Sequence, residues 1–153
     1  MQSRSNDKVL PILLLLAGAL LSLGAKKATR FISPVKSGRT SQKFKAGEHN
    51  GIDIAVPEGT NVYSVASGRV ASSYVTDKGG KQLVILHDNG FRSGYAHLRF
   101  PLVKIGDDVE RGQLIAQSGK TGIVTGAHLH FTLKNPEGNF IDPERYIKFI
   151  EQS

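Results

Sequence analysis

GRVASSYVTDKGGKQLVILHDNGFRSGYAHL, residues 68–98, holds three runs rich in Val, Ile, Tyr and Phe, broken twice by glycine-bearing turns. The runs are Gly68 to Val75, Gln82 to His87 and Phe91 to His97; the breaks are Gly79-Gly80 and Asp88-Asn89-Gly90. Apolar and polar residues alternating with a period of two read as half-buried strands, and breaks of this kind close hairpins. The segment therefore predicts antiparallel β pairing. Working outward, comparable runs occur at Asn61 to Val65, Leu114 to Gln117 and His128 to Leu133, so the fold class is mainly β. Helix-like spacing appears at the tail, Pro143 to Gln152, where Tyr146, Ile147 and Ile150 fall on one side after a proline suited to a first turn. No internal repeat is evident, and residues 31–153 read as one domain with one core.

Composition narrows the chemistry. The 153 residues are 39% apolar and 22% charged, and the absence of cysteine excludes disulfide scaffolds, thiolate metal sites and thiol catalysis. A formal charge of +7 suggests a polyanionic partner until it is divided: residues 1–30 carry +4 and the remaining 123 residues only +3. With the basic excess concentrated at the amino end, no nucleic-acid partner is expected. That end also carries VLPILLLLAGALLSLGA, residues 9–25, an uncharged run between Lys8 and Lys26. As a helix it would reach roughly 25 Å, close to a hydrocarbon core of about 30 Å. The basic start, apolar run and small residues near Gly24 fit a secretory signal equally well. Residues 1–30 are thus expected to be a hydrophobic helix serving as a retained membrane anchor or a cleaved signal.

All five histidines lie in the domain: His49, His87, His97, His128 and His130. In AHLHFTLK, strand periodicity sets His128 and His130 on one face and turns Leu129 the other way, into the core. In HNGID, His49 and Asp53 are four apart, and Gly51 with the Ile52, Ile54 alternation indicates a loop entering a strand. In GYAHL, Tyr95 and His97 are two apart and expected on one face, exposed to solvent. His87 ends a run before a turn and reads as structural or surface. A catalytic zinc takes three N or O ligands and keeps one position open, while nearby imidazoles move protons. His49, Asp53 and one histidine of the HxH pair would supply two nitrogens and one carboxylate oxygen.

HNGIDIAVPEGTNVYSVASGRV, GYAHL, VKIGDDVERGQLIAQSGKTGIVTGAHLHF and IDPERYI occur in order over about residues 45–148. In this combination the chain resembles the lysostaphin-like, or LytM-type, zinc metallopeptidases that cut peptidoglycan peptides. The resemblance implies a compact, mostly antiparallel β domain with the metal at the floor of a groove walled by loops. It implies one zinc ion held by His49, Asp53 and His130, with His97 and His128 as catalytic residues serving the water and the tetrahedral intermediate. Tyr95 is expected to support His97. Gly119, Gly122 and Gly126 fit a tight loop beside the ion, and Thr121 and Thr125 fit either loop hydrogen bonding or contact with a substrate peptide. SGRTSQKFKAGEH matches only loosely the GxR segment that often leads to the first histidine in the family.

The function implied is a zinc-dependent endopeptidase hydrolysing peptide crosslinks of bacterial peptidoglycan. It would be membrane-anchored or secreted and act in the cell envelope, a bare catalytic module on its leader. Its partners would be wall peptides, the membrane through the N-terminal segment, and either a protein activator or virion components. The alternative is a non-catalytic, membrane-tethered envelope or virion module that keeps the fold for docking. KIGDDVERGQLIAQSG also looks like half of a biotinyl or lipoyl carrier, but such carriers need a hairpin lysine beside Met or a similar residue, and Met1 is the sole methionine.

Overall fold

The computed structural model describes residues 30–149. The expected leader helix and Ile150 lie outside these residues. Among the described residues, no helix is long and apolar enough to cross a membrane.

Among the described residues ten strands form: β1 (Arg39–Gln42), β2 (Gly51–Ala55), β3 (Asn61–Tyr63), β4 (Gly68–Thr76), β5 (Gly80–His87), β6 (Arg92–Pro101), β7 (Asp108–Val109), β8 (Leu114–Ser118), β9 (Leu129–Lys134) and β10 (Phe140–Ile141). The main sheet runs β1-β2-β9-β6-β5-β4-β7, and every pairing is antiparallel. The two hairpins read from residues 68–98 are β4–β5 and β5–β6. The first turns through Gly80 at φ +62°, a left-handed conformation that glycine adopts without steric cost. β1, β7 and β10 are short edge strands with little apolar alternation, which is why their sequences carry no strand signal.

β6 joins the two parts of the sheet. Its first half pairs with β5 and β9, and a register shift between Leu98 and Phe100 turns its end onto β8, which in turn carries β3. Such an irregularity bends a strand, so β3 and β8 leave the main path while still closing over the core. Alternation then decides what is buried. Ile52 and Ile54 of β2, Leu83 and Ile85 of β5, Leu98 of β6, and Leu129, Phe131 and Leu133 of β9 are all at most 1% exposed. Each such side chain contributes roughly 1.5–3 kcal/mol on burial.

The tail departs from the helical expectation. Pro143–Arg145 is a single 3-10 turn, begun by Asp142, whose carboxylate accepts from the Glu144 N–H. Ile147 is buried, but Tyr146 is about half exposed and sits edge-on to Phe31 and Phe91. The pair does not share one buried face, because no second helical turn follows to align them.

A buried polar chain crosses the core. The Val65 N–H donates to Tyr95 Oη, the Tyr95 and Ser93 hydroxyls are 3.0 Å apart, and Ser93 Oγ is 2.8 Å from His87 Nε2. His87 Nδ1–H donates to the Ser67 carbonyl at 3.1 Å. Burial pushes the Tyr95 phenol up to about 12 and lowers the His87 imidazole below its ordinary value. His87 is therefore a neutral structural residue whose two ring nitrogens are both engaged.

Phe131→Ala is expected to cost about 3–5 kcal/mol in urea unfolding, the range for emptying a large aromatic site. The unfolded chain takes up a proton at His87 near pH 6.5, whereas the folded chain resists it until lower pH, so stability should fall as pH drops below about 6.5. His87→Gln, which keeps one donor and one acceptor, should flatten that slope in unfolding curves measured at pH 5 to 7.5.

Candidate metal centre and groove

The centre is built on three adjacent strands. Asp53 of β2 faces His130 of β9 as its register partner, and His130 faces Ala96 of β6. Since Ile52, Ile54, Leu129 and Phe131 point into the core, Asp53 and His130 must emerge on the other face of the sheet. His49 comes from the loop before β2, closed by a bridge between Lys45 and His49. Its Nε2 lies 3.2 Å from Asp53 Oδ1, and His130 Nδ1 lies 2.6 Å from the same oxygen. His128, just before β9 and bridged to Gly119, places Nε2 3.8 Å from Asp53 Oδ1.

His97 arrives differently. On a regular strand it would share a face with Tyr95, which is the exposed pair that the spacing predicts. Instead Tyr95 is 1% exposed, stacked edge-on with Phe131 and bonded to Ser93, so it belongs to the core. His97 takes φ +60°, the only non-glycine among the described residues with positive φ, and this left-handed step breaks the alternation. Its ring thereby reaches the groove, with centroids 4.6 Å from His128 and 6.1 Å from His130. Tyr95 does not orient it. The supports are the Gly79 carbonyl, which accepts the His97 N–H at 2.9 Å, and the Thr121 carbonyl, which accepts His97 Nδ1–H at 2.9 Å.

The same loop crossing fixes the groove wall. Thr121 Oγ1 donates to the Leu98 carbonyl and accepts the Lys81 N–H, and the Ile123 N–H donates to the Lys78 carbonyl. A Cβ at Gly122 would lie 2.5 Å from Gly80 N and from Lys78 O, so the two backbones cross only because glycine is there. Thr121 is thus a loop clamp, and Thr125 lines the groove with Ile123 and Val124. Glu48 and Asn50 line it as well, as do Tyr74, Thr76 and Lys78 around the end of β4.

Backbone carbonyls orient three imidazoles alike. His49 Nδ1–H donates to Lys43 O at 2.9 Å, His97 Nδ1–H to Thr121 O, and His128 Nδ1–H to Gly126 O at 3.0 Å. These bonds assign the proton to Nδ1 and present Nε2 to the groove. Neither the Lys43 nor the Gly126 carbonyl has any sequence signature, since backbone acceptors do not depend on residue type. For Asp53, burial pushes the carboxyl up, but the His130 hydrogen bond and the charges of His130, His128 and His49 leave it below its ordinary value. His97 is held below its ordinary value by burial first, then by the charges of His128 and His130, against the Thr121 bond that favours protonation.

His49, Asp53 and His130 offer ligand atoms that all lie within 4.8 Å of one another. Two imidazole nitrogens and one ionised carboxylate oxygen, half-shielded and open to a groove, fit one zinc ion with room for a further ligand. The family model described as peptidase family M23 matches residues 47–143, the span that holds all of these side chains. The chain belongs to peptidase family M23.

Within that family, this M23 chain is 45% identical over 89 residues to the peptidoglycan DD-endopeptidase ShyA of Vibrio cholerae, covering 58% of this chain and 21% of ShyA. It is 39% identical over 90 residues to lysostaphin of Staphylococcus simulans, covering 58% of this chain and 18% of lysostaphin. The chain therefore spans about a fifth of the length of these relatives. Among solved structures, a zinc-containing peptidase from Vibrio cholerae is 36% identical with a TM-score of 0.60, over 77% of this chain and 37% of that one. The M23 fold, antiparallel throughout, agrees with the sequence expectation.

Asp53→Ala and His130→Ala are each expected to lower zinc from one ion per chain to a small fraction of that after dialysis, measured by plasma emission spectroscopy.

Proposed function

We propose that this chain is a zinc-dependent endopeptidase that hydrolyses peptide crosslinks of bacterial peptidoglycan, with His49, Asp53 and His130 as metal ligands and His97 and His128 as catalytic residues. The observation that carries this reading is the convergence of all five groups on one open groove, with Nε2 of His97 and His128 left free by carbonyl bonds to Nδ1. The names of the two relatives supply the substrate class, one a peptidoglycan DD-endopeptidase and the other lysostaphin.

Bound zinc supplies Lewis-acid polarisation of the scissile carbonyl and acidifies water toward neutral pH. The chain's own residues do the rest. A peptide lying in the groove is held between the wall at residues 123–125 and the opposite side at Glu48 and Asn50. His97, kept neutral near pH 7, accepts a proton from the attacking water at Nε2. With its Nδ1 proton on the Gly126 carbonyl, His128, less enclosed and 4.6 Å away ring to ring, donates from Nε2 only as the imidazolium, and in that form it is placed against the developing oxyanion or the leaving amine. The carbonyls of Thr121 and Gly126 keep both rings from rotating, so the geometry is set before substrate arrives. The activity belongs to the cell envelope, where the apolar run at 9–25 would deliver the domain as an anchor or a secretion signal.

The test is incubation of the zinc-loaded chain with purified sacculi, followed by separation of the muropeptides. New peptide ends are expected with the wild type and none with His130→Ala. His128→Ala should retain one zinc per chain while turnover falls by about 10²–10⁴-fold, the usual contribution of a positioned proton-transfer group. Cleavage unchanged in His130→Ala would sink the assignment.

A further inference from the structure

The groove does not stop at His130. A second recess continues from it along the open face of the sheet, sharing Asn50, Tyr74, Gln82, Ala96 and His130 with the metal centre. Its floor follows the β6–β9 ladder, in which Ala96 stands opposite His130, Gly94 opposite Thr132, and Arg92 opposite Lys134. Alternate residues share a face, so these three rows form one track with the metal centre at one end and two cations at the other. Ala96 adds only a methyl group, and the Thr132 hydroxyl takes the space a Cβ at Gly94 would occupy, so Thr132 forms the middle of the floor.

The charge at the far end is unopposed. Among the described residues neither Arg92 nor Lys134 forms an ion pair, and no carboxylate lines the recess. Both side chains are half-buried, and Lys134 Nζ is held 4.3 Å from the centroid of the Phe140 ring, which also lines the recess. Two cations at directly opposed ladder positions repel one another, which makes the pair unfavourable unless an anion is shared between them. A guanidinium and a pinned ammonium on neighbouring strands suit one carboxylate, with Arg able to hold it through two N–H bonds.

We infer that Arg92 and Lys134 form a carboxylate-binding subsite that selects acidic peptides for the M23 centre, with the carboxylate about four residues from the bond that is cut. From Ala96 to Arg92 is four residues along β6, about 13 Å at about 3.3 Å per residue, and an extended peptide covers that span in the same number. The inference rests on the peptidase reading and narrows its substrate to crosslinks whose stems carry free carboxylates, against neutral glycine bridges.

The experiment uses the full zinc-loaded chain and two dye-labelled synthetic peptides with a central D-Ala–diaminopimelate bond. They differ in one group four residues from that bond, a free carboxylate in one and its carboxamide in the other. Anisotropy titration should show the carboxylate peptide binding about tenfold tighter. The gap should narrow as salt rises. It should close in Arg92→Gln with Lys134→Gln and persist in the charge-conserving Arg92→Lys with Lys134→Arg. Equal binding of the two peptides by the wild type, or a gap that survives loss of both charges, overturns the subsite. Cleavage is scored in the same samples. Tight, charge-dependent binding without cleavage supports the subsite and counts against the peptidase reading, whereas cleavage of both peptides with equal binding does the reverse.

Discussion

Asp53 stands opposite His130 in the β2–β9 ladder, and His130 stands opposite Ala96 in the β9–β6 ladder. This register is the constraint on which the site depends. Strand side chains alternate, so the same register that buries Ile52, Ile54, Leu129 and Phe131 forces Asp53 and His130 outward together. A slip of one residue in β9 would expose Leu129 and Phe131 and carry His130 into the core. The hydrophobic effect thereby sets the position of the candidate metal ligands without any metal being needed to define the strand pairing. Core packing and ligand placement are two faces of one sheet, which is why a binding site this precise costs the fold little.

Against that regular frame, His97 is the irregular element. Its left-handed backbone carries a cost on the order of 1–3 kcal/mol for a non-glycine residue. The cost is met locally: the Gly79 and Thr121 carbonyls hold its backbone and ring, and Thr121 is itself clamped to Leu98 and Lys81. The crossing of the β4–β5 turn with the loop at residues 119–123 thus does two things at once. It aims an imidazole into the groove, and it builds the wall beside it. Strain is concentrated where chemistry is proposed, while the opposite side of β6 keeps Tyr95 and Ser93 in a fully bonded core network.

The open face of the sheet has a direction. At one end an ionised carboxylate and four imidazoles gather; at the other, Arg92 and Lys134 lie half-buried without acidic neighbours in the recess. The M23 fold supplies the first end through the HNGID and HLH segments. The second depends on which residues continue the same ladder, here Arg92 opposite Lys134.

Much of this was legible in the order of residues alone. Alternation with period two and glycine-bearing breaks marked seven of the ten described strands, because burial of one sheet face leaves that imprint directly in the chain. Ligand-type residues at HNGID and HLH were legible for a similar reason: metal chemistry restricts which side chains serve, and strand geometry restricts their spacing. Edge strands β1, β7 and β10 left no such imprint, having little surface to bury. The placement of Tyr95 and His97 could not be read either, since both sit at positions of equal parity and only a backbone dihedral separates core from groove. Nor could the carbonyls of Lys43, Thr121 and Gly126, which any residue carries, or the meeting of Arg92 with Lys134 across 42 positions of chain. Local periodicity and residue chemistry act along the chain and are visible in it; dihedral reversals, backbone acceptors and cross-strand neighbours exist only once distant segments pack, and those were decided by the tertiary structure.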